Sequence, residues 1–81
     1  MPDQRDQPGL NWITRLVVPA KSLDGATSRV IIGVLDTDKG PKRALVIGHD
    51  ADPVVLRRQS MAELISHARA VLTEKIPEDW T

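Results

Sequence analysis

Four groups of side chains in this 81-residue sequence have types and spacings that chemistry can use. The first is Asp36-Thr37-Asp38-Lys39-Gly40, which opens like a calcium loop. Such a loop needs a third oxygen ligand at its fifth position, a glycine at its sixth and a bidentate Glu at its twelfth. Those positions hold Gly40, Pro41 and Ile47, so the segment reads as a turn with Asx capping. The second group is Asp50-Ala51-Asp52. It lies at the far end of a strand from Asp36, about 23 Å away, so the two acidic pairs cannot share a metal within one chain. Asp52 before Pro53 starts a turn instead.

The third group is His49 beside Asp50. A carboxylate can orient an imidazole for base catalysis, but adjacent strand residues point to opposite faces. No Cys or well-placed Ser completes a triad. His67 falls on the polar side of a predicted helix beside Glu63 and Arg69, where it reads as a solvated surface residue. The fourth group is basic: Lys39, Lys42-Arg43 and Arg57-Arg58. Arg57 and Arg58 precede a helix N-terminus, where exposed amides can hold an anion or a phosphate. Asp50 and Asp52 weaken that local field. There is no Phe or Tyr for base stacking and no helix-turn-helix pair. Gly33, Gly40 and Gly48 are isolated, which is not the pattern of a phosphate-binding loop. The expectation is therefore a protein that is not an enzyme and has no metal or cofactor.

These residues must be positioned by one small domain. Eighty-one residues leave room for a single core. The hydrophobic fraction of 41% and charged fraction of 27% are ordinary for a folded chain. Eleven basic and eleven acidic residues cancel, without the basic excess of a dedicated nucleic-acid binder or a membrane-surface helix. No apolar run is long enough to span a bilayer. Cysteine is absent, which suits a reducing compartment, and the expected location is the cytoplasm. Seven arginines against four lysines, with Phe and Tyr missing, suggest a GC-rich genome such as that of an actinobacterium or its phage.

Residues 1–9 read as a flexible leader, 10–76 as a single α+β domain and 77–81 as a short tail holding Trp80. Within the domain, Trp12 to Val18 is β-branched and aromatic, and Pro19 ends it, so it reads as a strand. Trp12, Thr14, Leu16 and Val18 then share one side. Ala20 to Ser28 is a loop around Asp24-Gly25. Arg29–Asp36 and Arg43–His49 form a hairpin about the turn Thr37–Lys42. Val54 to Arg57 is a short fourth strand, kept to an edge by Pro53. Ser60 and Glu63 form a capping box ahead of the stripe Met61, Leu64, Ile65, Ala68, Val71 and Leu72. Lys75 falls in the last helical turn and Pro77 stops the helix. The fold class is α+β: an antiparallel sheet of three to four strands with a β-hairpin core, then one amphipathic helix packed on one face.

Pairing Asp36 with Arg43 sets Val34 against Leu45, Ile32 against Ile47 and Val30 against His49 on one face. Ile31, Gly33 and Leu35 with Ala44, Val46 and Gly48 make the other. A half-solvated antiparallel sheet should alternate apolar and polar, and this hairpin does not. One helix covers one face only, and the glycine-bearing face suits close approach. The bulky face then needs a cover: a second copy of the chain, a different protein, or the first strand with the leader and tail. The candidate interface comprises Val30, Ile32, Val34, Leu45 and Ile47, with Trp12 and Trp80 as possible anchors. The leading expectation is an interaction domain, dimeric, that binds or modulates a larger protein. A nucleic-acid-associated accessory protein using Arg57 and Arg58 is the alternative, and a small hydrolase or metal protein ranks last.

Overall fold

The computed structural model describes residues 10–77. Four strands, β1 (Trp12–Lys21), β2 (Thr27–Thr37), β3 (Gly40–Ile47) and β4 (Val54–Leu56), precede one helix, α1 (Arg58–Leu72). The strands lie in the order β1-β2-β3-β4, each antiparallel to its neighbour. This is the expected α+β arrangement. The leader and Trp80 lie outside the described residues.

The strands run further than the prolines suggest, and the ladder explains why. The Asp36 N–H donates to the Asn11 carbonyl at 2.8 Å, and the Gly48 N–H donates to the Arg29 carbonyl at 2.8 Å. Even-numbered residues of β2 therefore bond toward β1 and odd-numbered ones toward β3. Pro19 stands opposite Arg29, so its missing N–H faces the outer edge of β1. Pro41 stands opposite Asp36, and its nitrogen points toward β4, which pairs only with Arg43, Ala44 and Leu45. Neither proline removes a ladder bond, so neither ends a strand.

With Pro41 inside β3, the hairpin closes over two residues, Asp38 and Lys39, and Thr37 pairs with Gly40. The Thr37 hydroxyl donates to the Gly40 carbonyl at 2.7 Å and accepts from the Lys39 N–H at 3.1 Å. Capping thus comes from Thr37 rather than an Asp, and Gly40 takes a φ of 101° that favours glycine. The register moves by two from the expected one: Val30 faces Ile47, Ile32 faces Leu45 and Val34 faces Arg43. His49 lies beyond the strand. A shift of two leaves every side chain on its expected face.

Ile31, Leu35, Ala44 and Val46 are the buried hydrophobic residues among those described, and Ala44 has no exposed surface. All four lie on the glycine-bearing face. The ladder between β1 and β2 is irregular between Trp12 and Thr14. This bulge moves Trp12 off the face of Thr14, Leu16 and Val18 and opposite Leu35. Gly33 accommodates it: a Cβ there would stand 1.9 Å from the Thr14 carbonyl oxygen and 3.2 Å from Cε3 of the Trp12 ring. Trp12 therefore belongs to the core side and not to the candidate interface.

The helix begins earlier than the capping box implies. Arg57 is extended (φ −70°, ψ 164°) and occupies the N-cap without a side-chain hydrogen bond. The Met61 N–H donates to its carbonyl at 2.9 Å, so Ser60 sits inside the first turn and cannot cap. At the other end, the Thr73 hydroxyl donates to the Ala70 carbonyl at 2.9 Å. Arg69, not Lys75, is the cation in the last turn. The expected packing of this helix on a sheet face does not form, because α1 has no buried residue and packs chiefly against β4. A connection of one residue, Arg57, holds its start at the β4 edge of the sheet.

Candidate interaction surface

The register builds one continuous aliphatic surface from all four strands. Its rows are Val18–Val30–Ile47, then Leu16–Ile32–Leu45–Val54, then Thr14–Val34–Arg43–Leu56. β1 to β4 span about 15 Å across the strands, and the three rows span about 13 Å along them. Leu16 is 59% exposed, Val18 50%, Ile47 61% and Val54 57%. Val30, Ile32, Val34, Leu45 and Leu56 are half-buried. Arg43 is the one charge in these rows, and Asp36 follows on the same face beyond Val34. Both are exposed.

The five aliphatic hairpin residues singled out from sequence thus stand together. Leu16, Val18 and Val54 belong with them, though only the register of the outer strands reveals it. A second open apolar surface lies on α1. Leu64 and Val71 are exposed, as are Ile65 at 52% and Leu72 at 81%. The stripe read from sequence is present, with only Met61 half-buried.

Comparison with protein-family models, curated proteins and solved structures finds no match.

The chemical candidates are not drawn together. Asp36 lies in β2, while His49, Asp50 and Asp52 lie exposed in the segment between β3 and β4. No group of three or more His, Cys, Asp or Glu side chains gathers among the described residues. Arg57 caps α1 and Arg58 is its first residue, both exposed, with no acidic residue in the first turn. A shallow depression there is lined by Arg58, Gln59, Ala62, Glu63 and Ser66, so a carboxylate shares the space with the guanidinium. No described helix is long and apolar enough to cross a membrane.

A hydrogen-bonded polar cluster occupies the turn between β1 and β2. The Ser22 hydroxyl donates to the Asp24 carboxylate, and the Ala26 N–H donates to the same carboxylate at 3.2 Å. These bonds, the Ser22 one foremost, hold the Asp24 carboxyl below its ordinary value. Gly25 follows with a φ of 92°. Leu23, between the two capping residues, is fully exposed at the tip.

Proposed function

We propose that this chain is a small non-enzymatic interaction domain that works as a homodimer and engages a larger protein. The observation that carries the reading is the four-stranded aliphatic face, open at Leu16, Val18, Ile47 and Val54. Soluble monomers rarely leave a contiguous apolar patch of this kind. Fully burying a Leu, Ile or Val side chain stabilises by about 1.5–3 kcal/mol. The open fractions of these four residues therefore hold about 5 kcal/mol per copy. Two copies contribute about twice that, comparable with the ~4–15 kcal/mol that association costs.

The experiment is a mass measurement by analytical ultracentrifugation across a concentration series, on the wild-type chain and on Ile47→Lys. A dimer that becomes monomeric in the variant supports the reading. A wild-type monomer at high micromolar concentration, with no protein partner captured through this face, refutes it.

A further inference from the structure

Among the described residues, two of the open apolar surfaces do not meet within one chain. One is the aliphatic sheet face, and the other is the stripe of α1. We infer that they meet between chains: α1 of one copy lies on the aliphatic sheet face of a second copy, and the second copy returns the contact. The inference rests on the homodimer reading and deepens it by naming what covers the face.

Dimensions agree. Leu64 to Leu72 spans about 12 Å along the helix axis, against about 13 Å for the three rows of the face. Area decides between arrangements. A fully buried aliphatic side chain removes on the order of 90 Å² from water. The open fractions of Leu16, Val18, Ile47 and Val54 hold about 200 Å² per copy, and those of Leu64, Ile65, Val71 and Leu72 about as much. Interfaces are roughly 57% apolar by area. Counting these four residues alone, a dimer using only the sheet face would bury about 700 Å² in total, below the size of specific, stable interfaces. Reciprocal use of face and helix doubles this to about 1,400 Å², within the range of specific, stable interfaces. The same chain supplies both halves, so a two-fold axis closes the assembly, each copy giving its helix and receiving its partner's.

The absence of cysteine permits a direct test in the full-length chain. Single variants Ile47→Cys and Ile65→Cys are mixed in equal amounts, allowed to exchange subunits, and treated with a short bismaleimide linker. The inference expects the mixed product, joining position 47 of one copy to position 65 of the other, to dominate over either symmetric product. It also expects Ile65→Lys and Ile47→Lys each to raise the dimer dissociation constant about tenfold or more, with far-UV circular dichroism unchanged. A dominant product joining two Ile47→Cys chains overturns the inference in favour of sheet-on-sheet packing and leaves the homodimer reading standing. A dominant product joining two Ile65→Cys chains overturns it in favour of helix pairing. No cross-linking together with a monomeric mass removes both the inference and the homodimer.

Discussion

Replacing Gly33 by alanine should dismantle the junction of β1 and β2. The new Cβ would stand 1.9 Å from the Thr14 carbonyl oxygen and 2.8 Å from its carbon. Both obstacles are backbone, so no rotamer change relieves the clash. Alanine ordinarily gains up to about 1 kcal/mol over glycine inside a strand. Overpacking typically costs about 1–3 kcal/mol and occasionally more, and here the added atom meets the backbone of a bulged strand, whose movement breaks ladder bonds that position Leu16 and Val18. The expected destabilisation is about 3 kcal/mol or more, a large share of the ~4–12 kcal/mol typical of a chain this long. That corresponds to a fall in Tm of about 12–24 °C. The assay is urea and thermal unfolding at one fixed protein concentration, since association adds to apparent stability. Gly25→Ala is the control. It stands at a φ of 92° with nothing within 4 Å of its Cβ position, so it reports strain alone, about 1–2 kcal/mol. A Gly33→Ala variant no less stable than Gly25→Ala refutes the close approach of Thr14.

Other outcomes follow from the same geometry. Pro41→Ala should change stability by no more than about 1 kcal/mol, the entropy a proline withholds from the unfolded chain; a loss above about 2 kcal/mol by urea unfolding would mean that the residue does more than sit at an unbonded ladder position. The folded pKa of Asp24 lies below its unfolded value, so its contribution is present above the unfolded value and fades as pH falls through the folded one. Carbon-detected NMR titration should place its carboxyl below that of a model Asp, and in Ser22→Ala the shift should shrink, with the Ala26 N–H still holding part of it; an unchanged titration in that variant contradicts the assigned cause. Thr37→Val should destabilise by about 1–2 kcal/mol through loss of the hydroxyl bonds closing the β2–β3 turn, and equal stability in a urea titration would show that Gly40 alone sets it.

The fold class is readable because the strongest signals are periodic and local. Apolar runs bounded by Asp-Gly and Gly-Pro mark the hairpin, and offsets of three and four mark the helix stripe. Both sheet faces are legible too, since side chains alternate whatever the register. Three features are not. Proline at positions 19 and 41 looks like a strand end, but its cost depends on which way its nitrogen points, and that is known only once neighbouring strands are paired. The bulge that turns Trp12 over Gly33 has no local signature other than the glycine on a different strand. The Ser60–Glu63 pair has the spacing of a capping box, yet the helix gains a further hydrogen-bonded turn from Arg57. The largest departure concerns α1 itself. An amphipathic stripe implies something to cover, but not in which molecule.

The tight β2–β3 turn has a consequence for how this protein can change over time. Gain or loss of two residues at Asp38-Lys39 adds or removes one rung beside the turn and leaves the pairs from Asp36–Pro41 to Val30–Ile47 in place. Gain or loss of a single residue, without a compensating bulge, would exchange the sides beyond it. Ala44 and Val46 would turn outward, and Arg43 would be driven into the space that now holds the core. Even changes in the length of this turn therefore need no compensation, whereas odd ones need a longer loop or a bulge to absorb them.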